Sequence, residues 1–277
     1  MAKLILTSDR WDELSALLED DQRLQREYPK VAEYLSMAER LPGVGDEQAD
    51  AQFSLRFVHY LTGGTSESMN PYWDIVEPFV TERSGRRVVN GGRAQGSPRL
   101  AFAQMQLQGV YAHAIPAPQT IEWISEFSGG RPIVELGAGR GYWAAQIARQ
   151  GLSIEAYDSD PPDSARSISF PGAAGQVDVW HPVGDLDGFA ARAMPADYAL
   201  FLCWPPGWGD SMAFDALTSF EAAGGERLIY IGERKGGKTG NDAFFDALSA
   251  RWKLESVDRD FVSWWTEEDV AEGWVRA

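Results

Sequence analysis

Residues 132–162, PIVELGAGRGYWAAQIARQGLSIEAYDSDPP, leave the chain few ways to fold. A short apolar run, Ile133 and Val134, leads into glycines at every second position, Gly137, Gly139 and Gly141. Without a Cβ these residues let the backbone turn tightly and approach a ligand. Tyr142 to Gln150 then places Trp143, Ala144 and Ile147 on one helical face and stops at Gly151, a residue favoured just past a helix end. Leu152 to Tyr157 follows as a second apolar run, with Asp158 at its end. The reading is strand, glycine turn, helix, strand, with an acid roughly 20 residues beyond the first glycine, where a carboxylate meets a ribose in nucleotide-binding units of this kind.

The glycines are spaced Glu-x-Gly-x-Gly-x-Gly, and the difference from Gly-x-Gly-x-x-Gly is chemical. A pyrophosphate favours a helix N-terminus without nearby negative charge, whereas Glu135 stands two residues before the first glycine and favours a cation. On these residues the sequence resembles the class I S-adenosylmethionine-dependent methyltransferases, with Glu135 to Gly141 as the first motif and Asp158 as the second. The resemblance implies that Glu135, Gly137, Ala138, Gly139 and Gly141 lie against the amino-acid moiety of S-adenosylmethionine and that Asp158 holds its ribose.

At 277 residues the chain accommodates one large domain or two modest ones with a sizeable core. A formal charge of −16 opposes binding to a polyphosphate, because nucleic-acid affinity comes largely from basic side chains on the backbone. A single cysteine, Cys203, excludes an internal disulfide, and with three histidines it argues against a dedicated metal site. With no signal pattern and no apolar run long enough for a bilayer, the expectation is a cytoplasmic protein without a membrane partner.

Taken in order, the N-terminal third reads as helices. Trp11, Leu14, Leu17, Leu18 and Leu24 share one spacing, Val31, Tyr34, Leu35 and Ala38 a second, and Phe53, Phe57, Val58 and Leu61 a third. A further helix is expected around Tyr72 to Thr81, interrupted by Pro78, before a glycine-rich loop at 90–98. Residues 1–109 are thus expected to be a helical cap, lid or dimerisation extension, the last implying a homodimer, and residues 110–277 the cofactor-binding domain. In methyltransferases of this class the segment before the first motif often closes over the cofactor, which brings in Tyr111 and His113. Tyr111 is either a cofactor contact or a core aromatic. His113 is either a general base or a hydrogen-bonded wall residue.

Beyond Asp158, Gln176 to Val183 reads as a third strand; Asp185, with Asp178 as the alternative, resembles the third motif, which holds the adenine amino group. Residues 198–208, YALFLCWPPGW, form an apolar run that stops at two prolines, as a strand entering a site loop does. Ligands of such sheets bind outside the carboxyl ends of the strands, so Cys203, Trp204, Pro205 and Pro206 are expected to face the methyl group. The segment resembles the Asp/Asn-Pro-Pro-aromatic motif of amino-group methyltransferases, with Trp204 in place of the polar residue and Gly207 in place of the aromatic. Trp204 offers a π-face for an aromatic or amine-bearing acceptor instead.

A fifth strand, Arg227 to Glu233, runs into Gly232-Glu-Arg-Lys-Gly-Gly-Lys-Thr239, a literal phosphate-loop pattern. Fewer than forty residues follow the start of the next helix, too few for the parallel strands that such a loop opens, so the loop is read as a substrate-side rim with Glu233 pointing into the cleft. Residues 252–257 and 261–265 are expected to close the sheet as an antiparallel pair. The fold class is therefore α/β, a mostly parallel seven-stranded sheet with helices on both faces. The resemblance implies methyl transfer from S-adenosylmethionine to a small molecule, with Trp204, His113 and Glu233 as catalytic candidates. A cofactor-binding protein that transfers no methyl group and a phosphate-loop nucleotide hydrolase are the alternatives.

Overall fold

A computed structural model describes residues 4–64, 68–93, 95–162, 167–190 and 196–277. The chain divides into two compact units. The first runs to Tyr111 and also takes in Gly172–Asp178 and Trp264–Thr266; the second comprises Ala112–Pro171, Val179–Ser263 and Glu267–Ala277.

Helices dominate the first unit: α1 (Ser8–Leu18), α2 (Asp21–Glu27), α3 (Pro29–Ala38), α4 (Glu47–Leu61), α5 (Pro71–Val76) and α6 (Pro98–Val110). The first expected stripe is split between α1 and α2, because the Asp20 carboxylate accepts from Arg23 N–H and starts a new helix. Leu14, Leu17, Leu24, Val31, Tyr34, Phe53 and Phe57 are buried, and the Tyr34 and Phe57 rings stack 4.0 Å apart. The helix expected over 72–81 stops at Val76, is followed by a single 3₁₀ turn, and gives way to a hairpin of β1 (Val80–Arg83) and β2 (Arg86–Val89). Ser84 and Gly85 both take positive φ, 53° and 75°, as a two-residue hairpin turn requires. Trp264 and Trp265 belong to this unit: the Trp264 indole donates to the Tyr72 hydroxyl at 2.8 Å and Trp265 N–H to the Val89 carbonyl at 3.3 Å.

The second unit is a seven-stranded sheet between helices. Its elements are α7 (Pro118–Ser128), β3 (Ile133–Leu136), α8 (Tyr142–Arg149), β4 (Ile154–Asp158), β5 (Val183–Asp185), α9 (Leu186–Ala190), β6 (Ala199–Cys203), α10 (Met212–Ala222), β7 (Arg227–Glu233), α11 (Asp242–Arg251), β8 (Trp252–Val257) and β10 (Asp269–Arg276); the short β9 (Val262–Trp264) falls between the last two in sequence and is not part of this sheet. The strand order is β5-β4-β3-β6-β7-β10-β8, parallel from β5 to β7, with β10 antiparallel to both its neighbours. Ile133, Ala156 and Phe201 face α7 and α8, packed with Ile124, Trp143 and Ile147. Val134, Leu200 and Tyr230 face α10 and α11, packed with Leu217, Phe220 and Phe244. Strands buried on both faces read as near-continuous apolar runs, as β6 does.

Two expected strands differ. The third strand starts at Val183 rather than Gln176, since Gly172–Asp178 belong to the helical unit. The antiparallel pair at the sheet edge is β8 with β10, not residues 252–257 with 261–265. β10 carries Glu272 and Gly273 at its centre, which masks its strand character; a Cβ on Gly273 would stand 2.6 Å from the Phe127 ring, so the glycine is a packing requirement.

Candidate functional site

Strand order reverses between β3 and β6, and the carboxyl ends of strands at such a point bound a crevice. The glycine turn sits there. Gly137, Gly139 and Gly141 all have left-handed backbone, with φ of 78°, 56° and 72°. The Gly137 and Ala138 N–H groups donate to the Tyr157 carbonyl at 2.9 and 3.1 Å, which fastens the turn to the end of β4. Gly141 caps α8, and a Cβ there would stand 2.7 Å from the His181 carbonyl oxygen.

Asp158 ends β4 beside this turn. One carboxylate oxygen accepts from Gly139 N–H at 2.9 Å and the other from Asp160 N–H at 2.9 Å. A carboxylate offers about four acceptor positions, so two remain for a ligand. Glu135, on β3, is 2% exposed, and its Oε2 has no hydrogen-bond partner. Desolvation and the Asp158 charge push its pKa up to about 8 against the Ala144 N–H, which lowers it. A buried, orphaned carboxylate oxygen is costly unless something meets it. Protonated near neutral pH, it carries no charge by itself, and a cation bound beside it would bring its carboxylate form back.

From Gly137 and Asp158 a cleft of about 890 Å³ extends along α9 and α10, lined by Ser159, Leu186, Phe189, Pro206 and Met212 among others. Asp210 and Asp215 also line it, and no Lys or Arg is among its described lining residues. Leu186 and Phe189 were missed in the sequence, although their i, i+3 spacing directly after Asp185 was the available signal. Asp185 itself is turned to capping: its Oδ1 accepts from Gly188 N–H at 2.5 Å. The alternative, Asp178, falls in the helical unit.

The loop after β6 is held at many points. Trp204 has φ 52°, an unusual backbone for a bulky residue. Its N–H donates to the Ile231 carbonyl at 2.7 Å, its indole N–H donates to Asp269 Oδ2 at 3.0 Å, and its ring stacks on His113 at 5.4 Å. Lys238 Nζ lies 6.0 Å from the same ring. Trp204 is therefore held in one orientation, with one face of its ring against His113. Pro205 accepts from Gly240 N–H at 3.1 Å and Pro206 bridges to Thr239, so the two prolines are braced by the next loop. Desolvation lowers the His113 pKa below its ordinary value and leaves the imidazole neutral near pH 7. Desolvation, with the Glu135 and Asp269 carboxylates, holds the Cys203 thiol well above its usual range, as suits a packing residue rather than a nucleophile.

Glu233 does not point into a cleft. Its carboxylate accepts from Lys238 N–H at 2.7 Å and Glu268 N–H at 3.1 Å, with Lys238 Nζ at 3.5 Å. Desolvation would raise its pKa, but those N–H groups and the ammonium outweigh it and hold the carboxyl below the ordinary range. The phosphate-loop pattern fails on the same geometry. Gly232 lies inside β7, Thr239 Oγ1 accepts from Glu233 N–H at 2.7 Å and pairs with the Tyr230 hydroxyl at 2.7 Å, Lys238 Nζ meets Glu267 at 2.6 Å, and α11 begins only at Asp242. The loop is spent on its own structure. Tyr111 lies in the first unit, buried and stacked on Tyr72 at 5.2 Å.

A parallel sheet closed by an antiparallel β10 between β7 and β8, with a glycine turn at its reversal and acids at the ends of two strands, is the class I methyltransferase fold. No known family profile matches the chain. Over 98 residues it is 32% identical to ribosomal RNA large subunit methyltransferase M of Pseudomonas syringae pv. syringae (strain B728a), a match covering 30% of this chain and 27% of that one. The chain thus spans about a quarter of the length of that relative. Among solved structures it is similar to magnesium protoporphyrin IX methyltransferase from Synechocystis PCC 6803 with bound SAM, at 10% identity and TM-score 0.36 over 81% of this chain and 97% of that one. It is also similar to the CcbJ methyltransferase from Streptomyces caelestis, at 13% identity and TM-score 0.36 over 57% and 88%. No helix among the described residues is long and apolar enough to cross a membrane.

Proposed function

We propose that the chain transfers a methyl group from S-adenosylmethionine to a small, uncharged or amine-bearing molecule. The observation that carries this reading is the cleft of about 890 Å³ that starts at Gly137 and Asp158, at the carboxyl ends of β3 and β4. The groups around it fit the cofactor one by one. Asp158 keeps two acceptor positions for ribose hydroxyls, the orphaned Glu135 oxygen suits an ammonium, and Leu186, Phe189 and Met212 offer apolar walls to a flat base. Asp185, at the end of β5, remains a second-rank candidate for the same ligand. When bound, the cofactor supplies an electrophilic methyl group on a sulfonium.

The chain's own part is orientation and exclusion of water, with one proton to accept. Methyl transfer needs the acceptor atom about 3–3.5 Å from the methyl carbon. Trp204, braced by Asp269 and His113, stands at the carboxyl end of β6, two residues before Pro206, which lines the cleft. The neutral His113 imidazole is able to take the proton that an amine or hydroxyl acceptor gives up. Three carboxylates among the described lining residues of the cleft, with no Lys or Arg among them, favour a cationic or neutral acceptor over a phosphate-bearing one.

Calorimetric titration with S-adenosylhomocysteine tests the cofactor, and incubation with methyl-labelled S-adenosylmethionine plus either a small-molecule cell extract or ribosomal RNA tests the acceptor. Label in a small organic product supports the proposal. Label that stays with RNA overturns the acceptor class, and binding without any labelled product favours a cofactor-binding protein.

A further inference from the structure

Beyond β4, residues 167–170 lie against the glycine turn. Asp160 Oδ2 accepts from Ile168 N–H at 2.9 Å and from Ser169 N–H at 2.7 Å, which holds this limb on the same short run that bears Asp158. Ser167 Oγ accepts from Phe170 N–H at 3.1 Å and orients the next residue. The Phe170 ring then lies over Gly139, 3.5 Å from where a Cβ on that glycine would be. Arg140, the residue between the second and third glycines, completes the clasp. It is 5% exposed, donates to the Pro171 carbonyl at 2.9 Å and stands 5.7 Å from the Phe170 ring centroid; its own carbonyl accepts from Trp180 N–H at 2.9 Å.

Burial accounts for only part of this arrangement: Phe170 is half-buried and outside both apolar clusters of the sheet unit, and Ile168 is 90% exposed. The limb's contacts go to the glycine turn. Resting on the cofactor reading above, we propose that Phe170 is the outer wall of the pocket for the cofactor's amino-acid half, set in place by Asp160 and Arg140. An aromatic face is suited to that place, because the ligand carries an ammonium there and a cation is attracted to a ring. The hydrogen-bond path Gly139, Asp158, Asp160, Ser169 ties the wall to the ribose acid, so both halves of the pocket are positioned by one strand end.

The experiment measures association and dissociation rates of S-adenosylhomocysteine for the full chain and for F170A, F170L and D160N, with thermal melting of each in the absence of ligand. Phe170→Ala should weaken binding about tenfold, mostly by faster dissociation, and leave the melting temperature nearly unchanged, with Phe170→Leu between it and the parent. Asp160→Asn should also speed dissociation, and amide exchange at Ile168 and Ser169 should rise. Parent-like dissociation from both Phe170 variants, while the parent binds tightly, overturns the proposal and leaves the cofactor reading intact. No binding to the parent chain overturns the cofactor reading and this wall together.

Discussion

Glu135 carries the clearest pH signature of any single residue. Its carboxyl has a pKa near 4.5 when unfolded and about 8 when folded. Between those values the folded chain holds a proton that the unfolded chain releases, so this residue's contribution to stability falls as pH rises from 4.5 to 8. Glu135→Gln should therefore gain stability relative to the parent at pH 8 and little at pH 4.5, as read from urea midpoints at the two values. A constant offset across that window would show that Glu135 does not titrate there. That the glycine turn, Glu135 and Asp158 come together was legible because all lie within 24 consecutive residues. Trp204 and Glu233 were not, because their partners Asp269 and Glu268 stand 65 and 35 residues further on and decide what the side chains do.

Among the elements, the β3–α8–β4 unit was read almost to the residue, since each piece is a neighbour of the next. The hairpin of β1 and β2 escaped notice because it carries Glu82, Arg83, Arg86 and Arg87 in place of alternating apolar residues, leaving Ser84-Gly85 as its only mark. β10 was hidden by its acids and its packing glycine. At the junction of β3 and α8 the three glycines are not equivalent. All pay a left-handed strain of about 1–2 kcal/mol on substitution by alanine, but only at Gly141 would the new Cβ also strike backbone, the His181 carbonyl. Gly141→Ala should therefore cost clearly more than Gly139→Ala in denaturant unfolding. Equal losses would mean that the 181 segment moves aside.

The whole molecule is not two consecutive blocks. Its helical unit is assembled from three separate pieces of chain, and one of them brings Trp264, 1% exposed, whose indole is bonded to Tyr72. A chain beginning at Ala112 should thus lose cooperative melting and aggregate, because it keeps Trp264 without the residues that cover it. A monodisperse species with a sharp melting transition on size exclusion and calorimetry would contradict that. The order of the sheet has a further consequence. β10 inserts between β7 and β8, and its first residue, Asp269, is what holds the Trp204 indole. During synthesis the glycine turn, Asp158 and both prolines leave the ribosome well before Asp269 does. A nascent chain can therefore shape the glycine turn and its tie to Asp158 while Trp204 is still unbraced, and the candidate site comes into being in two instalments separated by the time needed to translate more than sixty codons.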